Sequence, residues 1–128
     1  MAYAFFRPDE QVFAPPSWRP DEPTRRVVEL TPAGLKHSRA NLWRYPPGAR
    51  GRRHRETVQE EVFVVLEGTI TMLLGDEPEQ VELPRGSVVV VEPGTPLQIR
   101  NETESEALMF IYGAPPVTGR SEVLPEPA

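Results

Sequence analysis

Proline constrains this chain more than any other residue. It occurs 16 times in 128 residues, and each occurrence removes a backbone donor and interrupts a helix. The prolines fall in bursts, at Pro15-Pro16, Pro46-Pro47, Pro93 to Pro96 and Pro115-Pro116. Between the bursts lie short β-branched and aromatic runs at 27–30 (VVEL), 41–45 (NLWRY), 61–68 (EVFVVLEG), 69–75 (TITMLLG), 87–92 (SVVVVE), 97–101 (LQIRN) and 107–113 (ALMFIYG). Runs of this kind bounded by turn residues predict strands. No segment carries helical periodicity over three turns, and LTPAGLKHSRANL can hold one helical turn at most, because Pro32 and Gly34 interrupt it. The expected fold class is all-β, a sandwich or barrel, with Gly68 turning a hairpin between the runs on either side of it.

Length and charge narrow the function classes. A chain of 128 residues can bury one core, so a single barrel is expected over 24–114. Residues 1–23 carry Phe5, Phe6, Phe13 and Trp18 among prolines, and read as an arm packing on the barrel or on a neighbouring subunit. A homodimer stabilised partly by that arm is expected, since a small barrel alone offers these aromatics little cover. Residues 115–128 read as a proline-rich tail, extended and partly disordered. There is no cysteine, which excludes disulfides, thiolate catalysis and Cys-based zinc sites. A net charge of −5 argues against nucleic acid as a partner, because counterion displacement needs a basic face. The sequence has no apolar run long enough to span a bilayer, and MAYAFFRPDE lacks the basic start and apolar core of a signal peptide, so a cytoplasmic location away from membranes is expected.

The functional lead is the segment 48–68, GARGRRHRETVQEEVFVVLEG. Side chains alternate in an extended chain, so His54 and Glu56 point the same way. A turn near 57–59 can return Glu61, Phe63 and Val65 to that same inner side, with Glu60 outward. One imidazole and two carboxylates that converge can bind a divalent metal; the alternative is a metal-free polar network with Arg52. Arg52 shares parity with His54 and can reach the pocket, whereas Arg53 and Arg55 read as a solvated face. Phe63, Val65, Met72, Leu97, Ile99 and Tyr112 are candidates for an apolar lining. His37 reads as a surface residue. No nucleophile elbow, phosphate loop, dinucleotide fingerprint or helical H-E-x-x-H is present.

The same segment, read as G-x5-His54-x-Glu56-x4-Glu61-x6-Gly68, resembles the first motif of the cupin superfamily, with Glu56 where the second histidine usually stands. The stretch 86–101, GSVVVVEPGTPLQIRN, resembles the second motif and matches it at Gly86, Gly94 and Asn101. It departs at Glu92, in place of a proline, and at Leu97, in place of the last histidine. The resemblance implies a double-stranded β-helix, a jelly-roll barrel with a site at His54, Glu56 and Glu61. With Leu97 in a ligand position, a two-histidine iron site cannot be assembled from the motif residues. The function expected is binding of a small organic ligand in the barrel, either metal-free or with a weakly held divalent metal such as zinc, nickel, manganese or iron. The alternative is a divalent-metal-dependent isomerase, lyase or oxygenase; the sequence assigns no catalytic residue.

Overall fold

The computed structural model describes residues 2–116 and 120–127. The described residues form ten strands: β1 (Arg26–Glu29), β2 (Arg39–Tyr45), β3 (His54–Glu56), β4 (Glu60–Glu67), β5 (Thr69–Leu74), β6 (Glu79–Pro84), β7 (Val88–Val91), β8 (Leu97–Arg100), β9 (Ala107–Ala114) and β10 (Ser121–Val123). The only helical pieces among them are two 3-10 turns, Pro8–Glu10 and Thr31–Ala33, each with proline in its first turn. The all-β expectation therefore holds.

The strands divide into two five-stranded antiparallel sheets. The first runs β1-β2-β9-β4-β7 and the second β10-β3-β8-β5-β6, the double-sheet arrangement of a jelly roll. Their inner faces supply one core, in which Phe63, Val65, Ile70, Met72, Leu97 and Met109 are buried almost completely. Period-two alternation places these residues inside: Val65 lies opposite Met109 in one sheet, and Met72 opposite Ile99 in the other.

Two expectations are corrected. Gly68 does not turn a hairpin, because β4 pairs with β7 and β9 while β5 pairs with β6 and β8. It marks the point where the chain leaves one sheet for the other, after a register shift between Val65 and Glu67. Gly68 has φ +73°, and a Cβ there would lie 2.5 Å from the Glu106 carbonyl oxygen, so only glycine fits the corner. The second correction concerns the tail. Residues 121–123 form β10, which pairs antiparallel with β3, and the Leu124 amide donates to the Arg53 carbonyl at 2.9 Å. Proline-rich composition hid this strand, which has only three residues. Of the segment expected to be extended and partly disordered, 117–119 and 128 lie outside the described residues.

The N-terminal arm joins the edge of β1, where Ala14 and Val27 exchange both backbone hydrogen bonds. Trp18 packs edge-on against Trp43, with ring centroids 6.0 Å apart, and Phe13 lies 4.0 Å beneath the Arg44 guanidinium. Tyr3 and Phe5 stay exposed.

Candidate functional site

A cavity of about 750 Å³ is lined by residues of both sheets. Donors from both sheets meet there. The short strand β3 turns His54 and Glu56 inward, since they are two residues apart, and β4 brings Glu61 from the opposite sheet. One ligand atom from each of the three lies within 4.8 Å of the others. Glu56 and Glu61 are buried, and His54 is partly exposed toward the cavity.

The hydrogen bonds orient these groups. His54 Nδ1 lies 3.0 Å from the Arg52 carbonyl, an acceptor, so Nδ1 carries the proton and Nε2 faces the carboxylates. Nε2 is 3.3 Å from Glu56 Oε2, and the Ser121 hydroxyl donates to that same oxygen. Burial disfavours the charge on His54, but the bonds to Glu56 and to the Arg52 carbonyl, with the charges of Glu56 and Glu61, outweigh it and raise its pKa. For Glu56 burial is likewise outweighed, by the bonds from His54 and Ser121 and the charges of His54 and Arg39, and its pKa falls. Glu61 has no such support. Burial, reinforced by the Glu56 charge, pushes it up to about 7 against the pull of His54 and Arg39, and its Oε1 is buried without a partner among the described residues.

Beside the triad, β2 contributes a wall that sequence reasoning missed. Its inward residues Arg39, Asn41, Trp43 and Tyr45 all line the cavity. Arg39 and Glu61 lie on either side of Gly113 in one cross-strand row. Gly113 must lack a side chain, because a Cβ would meet Gln59 Oε1 at 2.6 Å. The buried Gln59 bridges this gap: its Oε1 accepts from Arg39 at 2.9 Å and its Nε2 donates to the Pro115 carbonyl at 2.9 Å. Gln59, assigned by sequence only to a turn, thus holds Arg39 beside the triad. Farther along β2, Arg25 lies over the rings of Trp43 and Tyr45 and donates to Tyr45 Oη at 3.2 Å. Glu22 anchors Arg25 at 2.7 Å and also pairs with Arg19 at 3.1 Å.

The other expected site residues divide three ways. Arg52, Phe63 and Ile99 line the cavity with the triad. Val65, Met72 and Leu97 are fully buried in the core rather than on the cavity wall, so their assignment to the lining is corrected. Tyr112 faces outward, 37% exposed, and its neighbours Ile111 and Gly113 take the inner positions. The parity of β9 is therefore the reverse of the expected one. Ser121 was missed because its strand was read as tail.

The family model described as "Cupin domain" matches residues 41–112, which is more than half of the chain. Auxin-binding protein 4 of Zea mays is 33% identical over 93 residues, covering 66% of this chain and 45% of that protein. The chain therefore spans less than half the length of that relative. Among solved structures, a cupin-superfamily sugar phosphate isomerase from Silicibacter pomeroyi superposes with TM-score 0.74 at 23% identity, over 87% of this chain and 75% of its own. KdgF from Halomonas sp. gives 0.75 at 19% identity over 91% and 97% of the two chains. The polyketide cyclase RemF from Streptomyces resistomycificus gives 0.80 at 16% identity over 98% and 87%. At these identities the structures establish a shared fold. No helix among the described residues is long and apolar enough to cross a membrane.

Proposed function

The chain belongs to the cupin family, and from that premise we propose that its barrel binds a small, oxygen-bearing organic ligand beside a weakly held divalent cation on His54, Glu56 and Glu61. The observation that carries this reading is the Glu61 carboxylate. One of its oxygens is buried without a hydrogen-bond partner among the described residues, where donor atoms of His54 and Glu56 lie within 4.8 Å. An unmet buried acceptor costs roughly 1–3 kcal/mol, and a cation relieves that cost. One imidazole nitrogen and two carboxylates suit zinc, nickel, manganese or iron better than calcium, which takes six or more oxygens. Leu97 lies opposite His54 on the neighbouring strand and offers no lone pair, so three protein donors hold the ion less firmly than four.

A bound cation would supply Lewis-acid polarisation of a ligand oxygen. The chain's own residues supply the rest of the recognition. Arg39, held by Gln59, presents a cation to an anionic or carbonyl oxygen beside the triad. The buried Asn41 lines the same wall, and Trp43, Phe63, Ile99 and Ile111 give the cavity its apolar sides. The names of the sugar phosphate isomerase and polyketide cyclase neighbours accord with a small organic ligand.

A second reading rests on Glu61 itself. A carboxyl that titrates at about 7 is suited to moving a proton at neutral pH, so the pocket can support metal-free isomerase or lyase chemistry with Glu61 as the acid-base group. Calorimetric titration separates the two readings. Chelator-treated protein should take up one equivalent of zinc or manganese, more tightly at about pH 8 than at about pH 6, because metal displaces the Glu61 proton. Glu61→Gln should bind at least about tenfold more weakly. A folded wild-type protein that takes up no metal would leave the proton-transfer reading.

A further inference from the structure

Five arginines line the cavity, Arg19, Arg25, Arg39, Arg52 and Arg120, against three carboxylates, Glu29, Glu56 and Glu61. The whole chain has the opposite balance, with 19 acidic residues to 14 basic, so its cations are concentrated at the cavity. Few of them are neutralised there. Glu22 alone answers both Arg19, at 3.1 Å, and Arg25, at 2.7 Å. Arg39 bonds the neutral Gln59. The Arg52 side chain is exposed and has no hydrogen-bond or ion-pair partner among the described residues. Cations collected in a cleft with low-dielectric walls focus a positive potential on it, which selects an anion.

These cations are spread along the cavity rather than gathered at one point. Arg39 stands beside the triad, across Gly113 from Glu61. Trp43 and Tyr45 lie farther along β2, roughly 13 and 20 Å from Arg39 in an extended strand. Arg25 covers both rings, and its Nη1 packs against Gly51, 3.0 Å from where a Cβ would stand. Arg52 follows Gly51 directly. Between the Arg39 and Arg25 positions, Trp43, Phe63 and Ile99 make the wall apolar.

We infer that the ligand carries two negatively charged groups, one taken at the triad and Arg39, and the second, a carboxylate or a phosphate, taken by Arg52. This rests on the reading of the cavity as a ligand site. Arg25 is too committed for the second role: its Nη atoms bond Tyr45 and Glu22, and its Nε is buried without a partner. Arg52 keeps its whole planar fork free, the geometry that grips a carboxylate or phosphate through two parallel bonds.

Both tryptophans of the chain, Trp18 and Trp43, line the cavity, so intrinsic fluorescence reports occupancy. Titrations of the full chain in the presence of zinc compare adipate with hexanoate, and 3-phosphoglycerate with glycerate, pairs that differ by the second charged group. In at least one pair the doubly charged member should bind about tenfold or more tightly than its partner; the pair with the larger gain identifies the group as carboxylate or phosphate. Arg52→Gln should abolish that gain while leaving hexanoate binding, glycerate binding and zinc uptake unchanged. Arg85→Gln, exposed in the turn between β6 and β7, should keep it. Zinc uptake, read separately by calorimetry, keeps the two claims apart, because loss of the metal weakens both members of a pair alike. Equal affinities within both pairs, a gain that survives Arg52→Gln, or no binding of either doubly charged probe at millimolar concentration would overturn the inference.

Discussion

Glu61 couples stability to pH in the metal-free protein. Its carboxyl titrates at about 7 in the fold against an ordinary value of 4.5, so the folded state keeps a proton that the unfolded chain releases between those values. The associated stability is full below about pH 4.5 and is lost as pH rises through 7. His54, also raised, acts in the same direction. With chelator present, Glu61→Gln should therefore match wild type near pH 5 and exceed it by about 2–3 kcal/mol near pH 8, as read by urea unfolding. Equal pH slopes in the two proteins would contradict a buried, unsupported carboxyl. Gly113 makes the second residue-scale prediction. Gly113→Ala drives a methyl into Gln59, which must move and release Arg39, so a loss of about 1–3 kcal/mol is expected in thermal unfolding. Much of the triad was legible because His54 and Glu56 share a parity and a single turn returns Glu61 to it. The Arg39 wall was not legible. On β2 the outward residues Ala40 and Leu42 are apolar and the inward Arg39 and Asn41 are polar, so hydropathy points the wrong way. Tyr112 was misassigned because β9 is apolar on both faces, with Phe110 outward and Met109 and Ile111 inward, so hydropathy fixes no parity there.

Among the elements, β10 matters to the site beyond its length. Its Ser121 hydroxyl donates to Glu56, and this second support besides His54 keeps that carboxylate ionised and aimed. Ser121→Ala should leave the barrel folded, since β10 pairs with β3 over only three residues, while weakening metal uptake by about tenfold in calorimetry. Unchanged affinity would show that β3 orients Glu56 alone. The sequence located seven of the ten strands within two residues, because β-branched runs between prolines fix them. The three not marked as strand runs, β3, β6 and β10, are short or charged, although 54–56 was read as extended, and tertiary pairing rather than local propensity makes them strands. The Gly68 hairpin failed for a related reason: a glycine corner between two strands looks the same in sequence whether the chain folds back within one sheet or crosses to the other.

For the whole molecule, the exposed valines on the outer face of the first sheet, Val88 and Val90 among them, are where the expected homodimer would pair. If the face is shared between two copies, the midpoint of thermal unfolding should rise with protein concentration in wild type and be independent of it in Val88→Lys/Val90→Lys, by mass action. Differential scanning calorimetry over a hundredfold concentration range reads this directly; a wild-type midpoint that does not move would contradict it. The all-β jelly roll itself was legible from punctuation and motif spacing. That His54 and Glu56 come from one sheet and Glu61 from the other was not, because their convergence across the barrel belongs to the assembled fold. It is tested most directly by a crystal structure grown with zinc and recorded at the zinc absorption edge. An anomalous peak about 2.0–2.2 Å from His54 Nε2 and from one oxygen each of Glu56 and Glu61 is predicted. A saturating zinc concentration that leaves no peak between these three side chains would contradict the account.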